Sequence, residues 1–284
     1  MEEREKVIVL YKKEGETPLE CINRAKEEGV IPKEEKATYA GRLDPMAEGL
    51  LIILTGESVH KKEEYLKLSK EYEVEVLLGV SSDTGDILGV IQDSNLSFLS
   101  NNFSGPWVSP QEAGPDHEKL LDGSFLRKIQ ETLKDCEGEF EEEYPKYSSK
   151  PVDGKPLFSL ARLGKIFNTN IPKHTVIIHS SILQNTRMMK VMEVADESVE
   201  RIKKVKGDFR QEEIISGWNN LKNISGNENV LVISIKVSCE SGAYMRVLAE
   251  KIGKSLGCPA LALRIKRVRV GDFSSEPFPV FSLG

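Results

Sequence analysis

Tyr39-Ala40-Gly41-Arg42-Leu43-Asp44-Pro45-Met46-Ala47-Glu48-Gly49-Leu50-Leu51-Ile52-Ile53-Leu54 changes character half-way along. Its first part is turn material. Pro45 biases Asp44 away from the helical region and toward extended backbone, so the Asp44 carboxylate sits on a turn that the chain itself partly fixes. Its last part, Gly49 to Leu54, is the longest apolar run in the chain. It is far short of the ~20 residues a membrane helix needs, and it suits a buried strand. A carboxylate held on a turn can serve as a covalent nucleophile when ionised and aimed. Asp-Pro is also an ordinary turn dipeptide, and on these two residues alone that reading is the simpler.

Toward the N-terminus, Lys6 to Tyr11 reads as a strand. Thr17-Pro18-Leu19-Glu20 is a capping box with Pro at the first helical position, opening a helix that Gly29 stops. Toward the C-terminus a short helix is expected near Lys61 to Leu68. Tyr72, Val74, Val76 and Leu78 then alternate with Glu71, Glu73 and Glu75, the pattern of a half-buried antiparallel-type strand. Asp83-Thr84-Gly85-Asp86 is a turn into a strand near Ile87 to Ile91. Residues 93–116, rich in Ser, Asn, Pro and Gly, exceed an ordinary connection and read as an insertion. Phe125, Leu126, Ile129 and Leu133 mark a helix, and Leu157 to Leu163 a short one. Strands are expected at 175–183, 188–193 and 230–239, with charged helical sequence at 196–222 between the last two. A helix over 242–256 ends at Gly257, and a last strand covers 261–270. Strands and helices mix without strict β-α-β alternation, which predicts an α+β fold, a largely antiparallel sheet flanked by helices.

The chain has 284 residues, 39% hydrophobic and 30% charged, enough for a buried core and unlike a disordered or collagen-like composition. The first residues are charged and lack the apolar core of a signal peptide, so a cytoplasmic protein is the default expectation. Cys21, Cys136, Cys239 and Cys258 form no C-x-x-C pair, and His174 and His179 are placed on opposite faces of a strand, so no metal site is expected. The net charge of −6 argues mildly against a polyanionic partner, but its distribution is uneven. Asp135 to Glu143 holds six acids and no base. Arg264 to Arg269 holds four bases and no acid, which reads either as a solvated edge strand or as phosphate contacts. Arg246 lies at the start of a helix after a Ser241-Gly242 turn. A guanidinium there can hold a carboxylate in its charged form or simply face solvent. Tyr72 is either a core aromatic or a ring that stacks on a base.

The order of segments narrows these alternatives. Tyr11-Lys12-Lys13-Glu14-Gly15-Glu16-Thr17, then the Gly41-Arg42-Leu43-Asp44-Pro45-Met46-Ala47-Glu48-Gly49 stretch with Thr55-Gly56-Glu57, come first. Lys70-Glu71-Tyr72 with Leu78-Gly79 and Ser82-Asp83-Thr84-Gly85-Asp86 follow. Tyr144-Pro145-Lys146-Tyr147-Ser148-Ser149-Lys150, with Gly154-Lys155, Leu157-Phe158 and Ala161-Arg162, comes next. Cys239-Glu240-Ser241-Gly242-Ala243-Tyr244-Met245-Arg246, Leu256-Gly257-Cys258 and Leu263-Arg264 close the series. Together, over roughly 260 residues, these blocks resemble the TruB-type pseudouridine synthases, which modify the T-loop uridine of tRNA.

The resemblance implies a pseudouridine-synthase-like fold with a central cleft over residues 1–275, with insertions at 93–116 and 195–228. It also implies a tail, 276–284, in place of the family's C-terminal PUA domain. It implies isomerisation of uridine to pseudouridine without cofactor or metal. Asp44 would be the nucleophile, Arg246 the group that keeps it charged and positioned, and Tyr72 the ring against the base. Tyr244 and Leu263 would line the pocket, and Lys12, Lys150, Lys155, Arg162 and the basic terminal strand would meet phosphates. The partner would be RNA, the tRNA T-arm first, with no membrane and no obligate protein partner. Three departures stand out. Tyr39-Ala40 replaces the family's His-Thr, which bears on base flipping. Arg42 replaces a threonine, in a Gly-Arg-Leu-Asp run similar to that of rRNA-modifying pseudouridine synthases. Lys13 replaces a proline. They leave open a non-catalytic RNA-binding or RNA-folding protein on the same scaffold, and an enzyme with another RNA target.

Overall fold

A computed structural model describes residues 6–98, 123–166 and 169–274. The apolar run after Pro45 forms β3 (Ala47–Thr55), buried on both faces and paired along one edge with β1 (Lys6–Lys12). Along its other edge β3 pairs antiparallel with β2 (Ala37–Ala40) and, nearer its start, in parallel with β12 (Ala260–Val270). The sheet continues through β4 (Lys70–Leu78), β11 (Asn229–Cys239) and β10 (Lys173–Lys190) to β7 (Gly138–Glu143), and every one of these further pairings is antiparallel. β13 (Phe273–Ser274) folds back on β12. Two short hairpins stand apart: β5 (Val80–Ser82) with β6 (Ile91–Ser94), and β8 (Pro151–Val152) with β9 (Lys155–Pro156).

Helices cover the sheet where its side chains are apolar. Tyr72, Val74, Val76 and Leu78 of β4 pack under α3 (Gly123–Asp135) and α7 (Met245–Leu256), through Phe125, Ile129, Leu248 and Ile252. At one end of the opposite face, α5 (Val191–Ile202) and α6 (Gln211–Ser225) bury Trp218 against Leu77, Val232, Leu261 and Leu263. α1 (Pro18–Glu27), with the expected capping box at Thr17 and Glu20, lays Ile22 and Ala25 on Leu51 and Ile53. The 3-10 turn Gly56–Lys61, α2 (Lys62–Leu66) and α4 (Leu157–Arg162) complete the described helices. The fold is α+β with a large, mostly antiparallel sheet, as the segment order predicts.

Several boundaries differ, each for a local reason. No ladder forms over residues 87–90. The Asp86 carboxylate accepts the Leu88 N–H and the Asp83 carboxylate accepts the Val90 N–H, so these side chains take the amides a strand would use. The strands expected at 175–183 and 188–193 are one strand, Lys173–Lys190. Its polar middle stays paired to β11 through a register shift between Leu183 and Asn185, and α5 begins at Val191. The charged segment 196–222 is two helices broken over residues 203–210, where Gly207 takes a positive φ. The helix expected over 242–256 starts at Met245, after an extended Tyr244. Residues 99–116 of the expected first insertion and the expected tail 276–284 lie outside the described residues.

The basic strand is not an edge, and its cations are already paired within the fold. β12 lies inside the sheet, and its cations face the acids of β4 and α5. Arg264 pairs with Glu75 at 3.3 Å and with Glu197, Lys266 with Glu73 at 3.4 Å, and Arg269 with Glu71 at 2.6 Å. Arg267 is buried and donates to the Leu50 and Gly41 carbonyls. The six acids of 135–143 run from the end of α3 into β7, the strand at the end of the sheet path, whose charged side chains blunt further pairing.

Gly49 lets β3 and β12 meet. It has a φ of 113°, and a Cβ placed there would stand 2.2 Å from the Arg267 carbonyl oxygen. We expect Gly49→Ala to destabilise the fold by about 3 kcal/mol or more in urea unfolding; an unchanged midpoint would contradict the tight β3–β12 approach.

Candidate active site

The turn from Gly41 to Met46 carries Asp44 to the meeting point of four distant segments. Asp44 Oδ2 accepts from Arg246 Nε at 2.8 Å. Arg246, on the first turn of α7, is buried, with only 4% of its side chain exposed against 30% for Asp44. Its Nη1 donates to the Thr84 carbonyl at 2.5 Å and its Nη2 to the Tyr147 carbonyl at 3.2 Å. Asp86 Oδ2 stands 3.8 Å from the same Nε. Gly85 makes this approach possible: it has a φ of 76°, and a Cβ there would fall 3.2 Å from Arg246 Cβ and 2.6 Å from Glu250 Oε1.

The electrostatics follow from burial. Burial works against the Arg246 charge, but Asp44 and Asp86 outweigh it and raise its pKa above the ordinary arginine value. Burial, and then the Asp44 charge, push Asp86 up, against Arg246 and hydrogen bonds from Thr84 and the Leu88 amide. One buried guanidinium therefore serves two carboxylates, of which only Asp44 is open to the cleft mouth.

Asp44 and Arg246 form a ridge between two cavities. The first is lined by Tyr72, Tyr244, Lys70, Ile265 and Arg267 as well as the ridge itself. Tyr72 is buried there, hydrogen-bonded with Arg267, and burial raises its phenol pKa. It therefore presents a neutral ring. The Tyr244 phenol is pushed up to about 12, first by burial and then by Asp44. Tyr244 also stands edge-on to Tyr144 and His174, whose rings stack 3.9 Å apart. His174 Nε2 bonds the Gly242 carbonyl and His179 Nε2 the Glu240 carboxylate. Among the described residues no three His, Cys, Asp or Glu side chains are grouped as a metal would need. The four cysteines are buried and free. Also among the described residues, no helix is long and apolar enough to cross a membrane.

The second cavity lies beyond Asp44 and is lined by Arg42, Asp86, Leu88, Tyr147, Phe158, Arg162, Phe209 and Arg210. Arg42 lines both cavities, with its Nε 3.8 Å from Asp44 Oδ1.

The structure thus brings together Asp44, Tyr72, Arg246, Tyr244, Arg42 and Arg162. Five of the expected residues, Lys12, Leu263, Tyr39, Lys150 and Lys155, line neither cavity. Lys12 is fully buried, and its Nζ donates to the Lys13, Glu16 and Pro45 carbonyls, so it ties the Asp44 turn to β1 and cannot meet a phosphate there. Leu263 sits in the core beneath α5 and α6. The register shift between Ala262 and Arg264 turns Ile265 to the cleft instead. Tyr39 packs against the α1 core and under Lys62, outside both cavity linings. Lys150 lies over the Tyr144 ring at 4.7 Å, and Lys155 is exposed on β9. Asp86, Tyr147, Phe209, Arg210 and Lys70 line the site and were not expected in it, and Arg267, expected only among the phosphate-contacting cations of the basic strand, lines its wall. Asp83-Thr84-Gly85-Asp86 offered a signal as a matched block; Phe209 and Arg210 lie in the inserted segment and offered none.

Residues 30–103 match the model of the TruB family pseudouridylate synthase (N terminal domain). Over these residues the chain is similar to the TruB family. It is 27% identical over 270 residues to tRNA pseudouridine synthase B of Cupriavidus metallidurans, covering 95% of this chain and 64% of that protein. With tRNA pseudouridine synthase B of Syntrophus aciditrophicus it shares 28% identity over 271 residues, again 95% and 64%. The chain thus spans somewhat under two thirds of the length of these TruB relatives. Among solved structures, a chain of a Cbf5-Nop10-Gar1 complex aligns with a TM-score of 0.50 at 18% identity, over 95% of this chain and 50% of that one. That likeness is one of fold.

Lys70 and Arg267 put two buried cations behind Tyr72. Burial, then Arg267, lowers the Lys70 pKa from 10.5 to about 8, and its Nζ donates to the Leu66 carbonyl. Between those two values the unfolded chain holds the proton that the folded chain has lost, so this residue's contribution to stability rises with pH in that window. Lys70→Met removes the low-pH penalty. The stability of the variant minus that of the parent, from chemical denaturation, is expected to fall between pH 8 and 10.5, by up to about 1.4 kcal/mol per pH unit. Groups that do not interact with Lys70 cancel in the difference, and a flat difference would refute the lowered pKa.

Proposed function

We propose that the chain is an RNA pseudouridine synthase, most directly for the T-loop uridine of tRNA. The observation that carries this reading is the 2.8 Å contact of Asp44 with a buried Arg246, on a ridge whose open side faces Tyr72 and Tyr244. Its supports are the TruB match, the tRNA pseudouridine synthases among the relatives, and the fold shared with Cbf5. RNA is the partner class, and a cytoplasmic setting accords with a tRNA substrate.

The target uridine leaves its stack and enters the cavity between Tyr72 and Tyr244. Asp44 attacks the base or the ribose anomeric carbon, and the bond from N1 to that carbon breaks. The freed uracil rotates and C5 bonds to the same carbon, the bond to Asp44 breaks and returns the carboxylate, and the C5 proton is lost to water while N1 takes one up. Arg246 holds the carboxylate in line and balances its charge without moving, since two backbone carbonyls fix it. Tyr72, neutral and buried, supplies a face for the base rather than a proton acceptor. Lys150, Lys155 and Arg162 are our candidates for contacts to the RNA backbone, and such contacts weaken as salt rises. Arg42 at the cleft mouth keeps a different RNA target in view as a second reading.

Asp44→Asn is expected to abolish tritium release from C5-labelled uridine in a T-arm hairpin while melting with the parent, because Asp86 still faces Arg246. Retained release in this variant would remove Asp44 from the chemistry. Tight RNA binding with no release by the parent protein would favour a non-catalytic RNA-binding role.

A further inference from the structure

The second cavity has the chemistry of a nucleobase site. Its apolar surface comes mainly from Leu88, Phe158 and Phe209; Arg42, Arg162 and Arg210 bring positive charge to it, beside the Asp44, Asp86 and Arg246 cluster at the ridge. Arg162 projects its guanidinium toward two rings, 5.8 Å from Phe158 and 5.2 Å from Phe209. Among the described residues no carboxylate pairs with it. A guanidinium beside aromatic faces, unneutralised and exposed, is a surface on which a flat base stacks.

Phe209 is placed there by its neighbour. Arg210 sits in the left-handed region with a φ of 62° and opens α6. Its guanidinium grips Asp83 through two hydrogen bonds, 2.7 and 3.1 Å, and lies over the Tyr147 ring at 4.9 Å. Tyr147 donates to the same carboxylate at 3.0 Å. Non-glycine residues in this conformation carry strain of order 1–3 kcal/mol and persist where surrounding contacts over-determine them. Here those contacts clamp the break between α5 and α6 onto the turn that also carries Asp86, and so hold the inserted segment against the cleft.

We propose that this cavity holds, by stacking on Phe209 and Arg162, the base that flanks the target uridine in the same RNA strand. The assignment rests on the RNA-modifying function proposed above and adds to it a role for the inserted segment. Continuity argues for the flanking base: Asp44, Arg42 and Arg246 line both cavities. A strand that delivers one nucleotide to Tyr72 must cross that ridge, and its next base falls on the far side. Stacking is tolerant of base identity, so the subsite selects for a splayed, single-stranded neighbour rather than for a sequence.

The test uses T-arm hairpins with C5-tritiated target uridine, intact or with an abasic residue on its 5′ or its 3′ side. They are presented to the parent protein, Phe209→Leu and Arg162→Ala. Arg162 is exposed, so its variant leaves the core intact, and thermal melts check both proteins. One of the two abasic RNAs is expected to lose roughly ten-fold in kcat/KM with the parent, mostly through KM, and Phe209→Leu to lose as much on intact RNA. Phe209→Leu on that abasic RNA should lose little more, because the same contact is already gone. Fully additive losses, or no loss from either abasic RNA, would overturn the proposal. If the parent releases no tritium from intact RNA, the proposed activity fails on its own, and the same cycle read in the Kd of these hairpins still decides the subsite.

Discussion

The site depends on a guanidinium that has lost its water. Burying a cation costs several kcal/mol unless charge and hydrogen bonds replace its hydration. Arg246 recovers it from Asp44, from Asp86 and from the carbonyls of Thr84 and Tyr147. These partners come from the turn before β3, the turn after β5 and the segment before β8, while Arg246 itself lies on the first turn of α7. No one of them makes the environment tolerable alone, so the ion pair also ties four chain segments together. The asymmetry in exposure follows: the arginine is sealed and structural, while Asp44 keeps an open side.

The same accounting explains why the basic run near the C-terminus has so little to do with the cleft. β12 runs between β3 and β4, and Glu71, Glu73 and Glu75 face it across the sheet. Cross-strand pairs at 2.6–3.4 Å turn a positive stripe into a mixed surface. On an exposed sheet face each such pair contributes at most about 1 kcal/mol, but together they leave little free charge for a polyanion. Arg267, the one member that turns inward, hydrogen-bonds with Tyr72 instead and is built into the cleft wall.

What was legible in the sequence was whatever its own neighbours decide. The capping box at Thr17, the alternation of Tyr72 to Leu78 and the turn imposed by Pro45 are local, and each reads correctly. So does the grouping of Asp44, Tyr72 and Arg246, because whole blocks of residues resemble a known family in order. The errors share a cause. Ile87 to Val90 look like a strand until Asp83 and Asp86 take their amides. Leu263 looks like a cleft residue until the bulge in β12 shifts the alternation to Ile265. Lys12 looks like a surface cation until the Pro45 carbonyl closes over it. In each case a contact or register shift outside the local pattern reverses which way a side chain faces, and nothing in the pattern itself records it.

The inserted helices make the same point constructively. α5 and α6 are held by Trp218 against β11 and β12, on the face of the sheet opposite α7. A pair of helices packed only there would be remote from the ridge. The connection of residues 203–210 changes this, because it is anchored at both ends: Arg201 bonds Glu14 near the Asp44 turn, and Arg210 bonds Asp83 beside the Arg246 turn. The second anchor is an ion pair to the turn that carries Asp86, and the first is one to the turn after β1, whose Gly15 N–H donates to the Pro45 carbonyl of the Asp44 turn. The segment therefore cannot shift without pulling on the carboxylates that share Arg246. A peripheral addition to the fold is in this way mechanically continuous with the charge pair at its centre.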